Sequence, residues 1–267
     1  MTDVAAPAPA RVGPLLRDWR RRRRMSQLDL ALQAGVSARH VSFVETGRAR
    51  PSAEMVLRLA EHLDVPLRDR NGLLLAAGYA PAFGRRGLDE PEMGPVRAVV
   101  EALLRGHEPY PAVVIDRHWG MVAGNAAIAL LTDGVAPELL EPPVNVLRLS
   151  LHPDGMAPRI ANLGQWRAHV LGRLQRQAVA TGDPALAALH DELAALPGGE
   201  EPEPPGAAIA VPLRLRTDSE VLSFLSTMTT FDTAADVTVA ELAIESFFPA
   251  DARTAQRLTS QVIDGRG

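Results

Sequence analysis

The chain has 267 residues, including 28 arginines, no lysine and no cysteine, and its formal net charge is −4. The missing lysine excludes a Walker A lysine, a Schiff-base lysine and a Ser-Lys dyad, and the missing cysteine excludes disulfides, thiolate nucleophiles and zinc ribbons. No apolar run approaches the roughly 20 residues that span a membrane. We therefore expect a soluble, cytoplasmic protein with no membrane partner.

The charge is divided unevenly along the chain. Residues 1–80 hold 13 arginines against 8 acidic residues, and the remainder holds 15 arginines against 24 acidic residues. A basic segment followed by an acidic one indicates a polyanion-binding domain joined to a domain with another task. Glycine and proline concentrate between residues 78 and 95, as in a linker. We predict a disordered N-terminus over 1–11, a first domain over 12–78, a linker over 79–92 and a second domain over 93–262.

The first domain has the pattern of five short helices. Ser26 and Ser37 are predicted N-caps, and Gly35 and Gly47 are predicted helix stops. Two short helices joined by the sequence Gly-Val-Ser form a helix-turn-helix arrangement. Because five consecutive residues of a helix point in all directions, only some of the arginines at residues 20–24 can face DNA. Arg20 or Arg24 is a candidate partner for Glu45 instead. We predict an all-α helix-turn-helix bundle.

Residues 26–52, SQLDLALQAGVSARHVSFVETGRARPS, resemble the phage-repressor-like helix-turn-helix of the xenobiotic-response-element type. The resemblance covers about residues 12–78 and implies that the first domain binds double-stranded DNA. A helix of this size fits the major groove and presents its N-terminal residues to base edges.

The predicted DNA-binding residues lie on and around the second helix of this motif. Arg39 is the best base reader, because a guanidinium can bond guanine bidentately. Phe43 either touches a thymine methyl or packs against a neighbouring helix, and the resemblance places Gln27 to bond a phosphate or to support the reading helix. The full predicted set is Gln27, Ser37, Ala38, Arg39, His40, Ser42, Phe43, Thr46, Arg48 and Arg50.

The second domain has the pattern of an α+β fold. Two short β-prone runs at 112–116 and 120–123 precede predicted helices at 162–180 and 184–196, and an acidic loop follows at 198–206. Three further β-rich runs are predicted at 208–216, 221–231 and 237–248. The third run can also be read as a helix, and its Phe residues and the flanking Pro249 favour a strand. Pro212 places the first of these runs at a sheet edge or delays its start. We predict an antiparallel sheet of about five strands with helices across one face.

This half resembles the MmyB-like ligand-binding domain that follows the same helix-turn-helix in bacterial regulators. The matching stretches are VIDRHWGMVAGNAA, VNVLRLSLHPDGM, IANLGQWRAHVLGRL and FDTAADVTVAELAIESFFPAD. The resemblance implies a PAS-like fold that senses a small, largely apolar molecule such as a fatty acid.

The predicted ligand site combines large apolar residues near the presumed sheet with polar residues that suit a ligand's polar end. Arginine matches the geometry of a carboxylate. Asparagine either bonds the ligand or caps a helix, and each apolar residue has plain core packing as its alternative. The predicted set is Trp119, Asn125, Arg148, Arg159, Asn162, Trp166, Phe224, Met228 and Phe231.

The sequence carries no catalytic or metal-binding motif: its seven histidines are scattered, without H-E-x-x-H spacing. We expect no enzyme, no cofactor and no metal. The prediction is a homodimeric transcription regulator that reads a roughly two-fold operator and responds to a small apolar or fatty-acid-like ligand. A ligand-independent dimeric repressor and an antitoxin-like interaction module remain the alternatives.

Overall fold

The computed structural model describes residues 12–199, 201 and 210–264. The predicted disordered N-terminus and most of the acidic loop lie outside the described residues. Two compact units form, one from the chain up to Gly87 together with Thr233–Ala240, the other from Leu88–Asp232 and the chain from Glu241 onward. None of the described helices combines the length and the apolar content needed to cross a membrane.

The first unit is built from helices, as predicted. They are α1 (Val12–Arg22), α2 (Gln27–Gln33), α3 (Ala38–Glu45), α4 (Ala53–His62) and α5 (Leu67–Ala76). The serines at 26, 37 and 52 each accept a hydrogen bond from a backbone N–H of the first turn and so start α2, α3 and α4. Apolar side chains from all five helices form one core. The all-α prediction is confirmed.

The second unit contains a five-stranded antiparallel sheet, which confirms the predicted α+β class. Its strands are β1 (Ala112–Ile115), β2 (Met121–Gly124), β3 (Leu213–Arg216), β4 (Val221–Thr230) and β5 (Ala243–Pro249). Their order is β2-β1-β5-β4-β3, so β5 is the middle strand. Strand β3 lies at the edge and begins after Pro212, which cannot donate to a sheet hydrogen bond.

Helices cover one face of this sheet around the larger apolar core. They are α7 (Ala129–Thr132), α8 (Val146–Leu151), α9 (Leu163–Thr181), α10 (Pro184–Ala194) and α12 (Ala252–Asp264). The prediction that helices lie across one face is wrong for helix α6 (Gly94–His107), which lies on the opposite face, where Val100 and Leu104 pack with Ala112 and Val114 of β1. The sheet therefore separates a large core from a small one.

The prediction of a continuous strand over residues 237–248 is wrong in its first part. Val237–Ala240 forms a short helix, α11, and the strand begins only at Ala243. Asp236 accepts a hydrogen bond from Thr238 N at 2.8 Å and starts the helical turn, and Val237 and Val239 are buried. The N–H of Val237 also donates to the carbonyl of Gly84. Burial of two valines on a capped turn outweighs their β-propensity.

Candidate functional site

Helix α3 is held by its core-facing side chains and by the turn before it. Val41 and Val44 are fully buried. Gly35 has a φ of +65° in the turn from α2, a conformation that disfavours other residues. Gly13 of α1 allows close contact, because a Cβ there would lie 2.5 Å from the carbonyl oxygen of Val44. The position of α3 is therefore set by backbone geometry and by the core.

A buried ion pair fastens the end of α3 to α1. Arg20 donates from Nε and from a terminal nitrogen to the two carboxylate oxygens of Glu45, at 2.6 and 2.9 Å, and its other terminal nitrogen donates to the carbonyl of Met25. Gln27 also donates to Glu45, at 2.8 Å. Burial raises the pKa of Glu45, but the hydrogen bonds from Arg20 and Gln27 and the charges of Arg20 and Arg17 outweigh it, so the net shift is downward.

The opposite face of α3 is polar and cationic. Arg39 is exposed, and His40, Ser42 and Phe43 are half-buried. The guanidinium carbons of Arg39 and Arg48 lie 5.1 and 5.8 Å from the centroid of the Phe43 ring, so one aromatic ring orients two cations. In the described part of the chain neither arginine has a carboxylate partner. These groups match what a major-groove reader requires.

The remaining predicted DNA-binding residues have structural partners of their own. Gln27 supports α3 through Glu45, Ser37 caps the helix, and Thr46 donates to the carbonyl of Ser42 at 2.7 Å. Arg50 donates to the carbonyl of Ala77. Ala38 is half-buried at the helix start. Contact of any of these ten residues with DNA stays a prediction.

The basic run at residues 20–24 is divided among several tasks. Of the two predicted partners of Glu45, Arg20 and Arg24, the structure shows Arg20 in the ion pair. Arg23 donates to the carbonyls of Leu63 and Asp64 and so caps the C-terminus of α4. Arg21 and Arg24 are exposed. The run is therefore only partly available to a polyanion.

A narrow apolar cavity lies inside the second unit, between the sheet and the helices. Val113 of β1, Met121 of β2, Leu213 of β3 and Phe247 of β5 contribute the sheet side, and helix α9 contributes Trp166, among others. The free volume is about 50 Å³. Met156 also lines the cavity. Because methionine side chains are unbranched and adaptable, Met121 and Met156 provide a wall that a larger guest could displace.

Four polar residues lie in this apolar lining: Thr132, Ser150, Arg173 and Glu245. Ser150 accepts a hydrogen bond from the Trp166 indole N–H at 2.8 Å. Arg173 donates from one terminal nitrogen to Glu245 at 3.1 Å, and its guanidinium lies 4.3 Å from the centroid of the Trp119 ring. The Nε of Arg173 is buried and has no hydrogen-bond partner among the described residues.

Of the nine predicted ligand-binding residues, Trp166 lines this cavity. Trp119 is buried beside it, where it supports Arg173 and donates to Gln177. Phe224 lies in the core, Phe231 packs on the smaller apolar cluster, and Met228 is 41% exposed.

The four polar members of the predicted ligand set are engaged elsewhere. Asn125 accepts from the N–H of Ala112 and donates to the carbonyl of Tyr110, and its side chain does not cap the following helix. Arg148 forms a two-point ion pair with Glu192. Arg159 donates to carbonyls that include those of Leu130 and Asp133, and Asn162 to that of Pro212. A ligand contact from these four residues stays a prediction.

Sequence reasoning missed Arg173 and Glu245, although a signal existed for each. Glu245 alternates with Phe247 on the predicted strand IESFF and so shares its inner face. Arg173 follows Trp166 and Val170 at helical spacing, i, i+4 and i+7, and all three line the cavity. A charged residue on a predicted buried face is the informative exception to burial patterns.

Comparison with known proteins gives two family matches. Residues 96–260 match the family model described as the MmyB-like transcription regulator ligand binding domain, and residues 16–69 match a helix-turn-helix model. No curated protein matches the chain. Among solved structures, the chain is similar to one titled "Structure of an RNA-binding Light-Oxygen-Voltage Receptor", with 16% identity and a TM-score of 0.30. That match covers 96% of this chain and 63% of the other.

Proposed function

Because this chain belongs to the MmyB-like transcription regulators, we propose that it reads a roughly two-fold operator as a homodimer and that a small, largely apolar, fatty-acid-like molecule controls its affinity for DNA. The family matches support a DNA-binding transcription regulator with a ligand-binding domain.

The observation that carries DNA reading is the cationic outer face of α3. Arg39 and Arg48 converge on Phe43 without a carboxylate partner among the described residues. The inner face of the same helix is packed against the core, so α3 is held in place before DNA binds. Each half of a two-fold operator would receive one α3, with half-sites about 10 bp apart or a multiple of it.

The observation that carries ligand sensing is the apolar cavity lined by Trp166 and by two methionines. Its small free volume means that a ligand would have to displace side chains. Such displacement is a physical route to regulation, since a ligand shifts an equilibrium by its differential affinity for two conformations. An apolar chain suits the lining, and the polar residues would set its orientation.

Arg39 is tested by titrating the full chain with a labelled DNA fragment from its own upstream region, followed by single-base variants of the bound site. The Arg39→Ala variant should lose about 1–3 kcal/mol of discrimination at one base pair. Arg58→Ala is the control, because Arg58 pairs with Glu54 on α4. An equal loss on every sequence would show that Arg39 contacts only phosphate.

The assembly and the sensor are tested separately. Native mass spectrometry should give a dimer and should detect a co-purified apolar molecule released on denaturation. A dimer that binds DNA, carries no such molecule and responds to none would support the ligand-independent repressor instead.

A further inference from the structure

The polar groups of the ligand cavity indicate the chemistry of the ligand's polar end. Glu245 lies on the middle strand of the sheet, with its side chain 5% exposed, and its partner Arg173 comes from α9. A charged pair in an apolar wall is costly to desolvate unless its hydrogen bonds are satisfied. This pair is joined by one hydrogen bond between Arg173 and Glu245, and Arg173 Nε has no partner in the described chain.

The charges at the cavity already cancel. Arg173 supplies one positive charge and Glu245 supplies one negative charge. His169 stacks on Trp166, and burial lowers the pKa of its ring, as do the charges of Arg173 and Arg176, so the uncharged form of the ring is favoured. A ligand carboxylate would therefore bring an uncompensated negative charge into an apolar site, next to Glu245.

Two residues of the cavity lining keep an unused hydrogen-bond donor. Arg173 offers its unpartnered Nε–H. Ser150 accepts from Trp166, which leaves its hydroxyl proton to be donated. Both residues line the cavity. A guest that satisfies both groups needs an acceptor oxygen and no charge.

We propose that the ligand's polar end is an uncharged hydrogen-bond acceptor, such as an ester, lactone or ketone, which receives hydrogen bonds from Arg173 and Ser150. Glu245 is then a specificity-determining residue, because its charge excludes carboxylates. The inference rests on the proposed ligand-sensing function and narrows its fatty-acid-like ligand to the neutral members of that class.

The test compares two probes with the same alkyl chain, methyl decanoate and decanoate, bound to the full chain at pH 8 and followed by calorimetry and tryptophan fluorescence. The wild-type protein should bind the ester at least about tenfold more tightly than the carboxylate, since only the ester keeps the site neutral.

The Glu245→Gln variant supplies the decisive comparison. It keeps the size and an acceptor for Arg173 but removes the balancing charge, so Arg173 becomes available to a carboxylate. Decanoate affinity should rise about tenfold or more, while ester affinity changes less than about threefold. Glu192→Gln is the matched control, because Glu192 pairs with Arg148 and neither residue lines the cavity.

The outcomes separate the inference from the function on which it rests. If the wild-type protein prefers decanoate, or if Glu245→Gln leaves the ratio of the two affinities unchanged, the inference is wrong and ligand sensing stands. If neither probe binds, the fatty-acid-like sensor proposal fails together with it. If the variant does not fold, the wild-type protein's relative affinity for methyl decanoate and decanoate decides whether the inference is right.

Discussion

The two units each contain an arginine–glutamate pair with a buried carboxylate, and the pairs differ in how completely they are bonded. In the first unit, Arg20 uses all three of its nitrogens, and Glu45 also accepts from Gln27. In the second unit, Arg173 makes one hydrogen bond to Glu245 and leaves Nε without a partner in the described chain.

This difference separates a structural ion pair from one that can meet a ligand. In the first pair every nitrogen of the guanidinium is hydrogen-bonded, and disturbing the pair exposes a buried charge. An unsaturated pair beside a cavity keeps a donor for a guest. Substitutions in the two pairs and in their surface counterparts test this distinction.

Removal of Glu45 should give the largest loss of stability. Glu45→Ala leaves the Arg20 side chain, 11% exposed, without its carboxylate partner, and the free energy of unfolding should fall by about 3–5 kcal/mol. Urea denaturation measures it. Glu54→Ala removes the exposed pair with Arg58 and should cost at most about 0.5 kcal/mol. Equal losses in the two variants would contradict a structural role for the buried pair.

Removal of Glu245 should cost less. The Arg173 side chain is 23% exposed and keeps its contact with the Trp119 ring, so Glu245→Ala should lower the free energy of unfolding by about 1–3 kcal/mol. The same urea titration gives the value, with Glu192→Ala as control. A loss as large as that of Glu45→Ala would remove the proposed distinction between the two pairs.

The pH dependence of the free energy of unfolding at acidic pH should report the titration of Glu45. Its folded pKa lies below the ordinary value of 4.5, so the unfolded chain binds the proton more readily. The contribution is complete above the unfolded pKa and is lost as the pH falls through the folded one, with a slope of at most about 1.4 kcal/mol per pH unit. The Glu45→Gln variant has no carboxylate to titrate at this position. Its free energy of unfolding should therefore fall less steeply than that of the wild type between pH 6 and pH 3.

The smallest effect is expected at the surface pair of Arg148 and Glu192. Both side chains are nearly half exposed, at 45 and 46%, so water screens their attraction. Arg148→Ala should change the free energy of unfolding by less than about 1 kcal/mol and should leave methyl decanoate affinity unchanged. A loss of ester binding would instead place Arg148 in the ligand site, as the sequence predicted.

The elements were readable from the sequence where the signal is local. Ser26 and Ser37 mark helix starts by side-chain capping, and Pro212 marks a late-starting edge strand, because each acts on its own neighbours. The prediction failed over Val237–Ala240, where two valines suit either a strand or a buried helical turn. Their burial and the hydrogen bond from the Val237 N–H to the distant Gly84 carbonyl favour the helical turn.

Site residues were harder to predict, since side-chain type does not reveal its partner. Arg148 and Arg173 are both arginines on helices of the second unit. One pairs with a surface carboxylate and the other lies in the cavity lining with Glu245, 72 residues away. Asn125 is polar and suited a ligand, yet its hydrogen bonds hold the start of β1.

The helix-turn-helix, the charge difference between the halves, the sheet and the exclusion of lysine and cysteine chemistry could all be predicted from the sequence. These properties depend on composition, on local capping and on periodic patterns. Which arginine has every nitrogen hydrogen-bonded and which keeps an unpartnered nitrogen depends on the tertiary structure, because hydrogen-bond partners come from distant segments. Arginines that are alike in the sequence therefore differ in the described structure: Arg23 caps a helix, Arg20 is a buried partner, Arg39 is an exposed cation on α3, and Arg173 keeps an unpartnered Nε at the cavity.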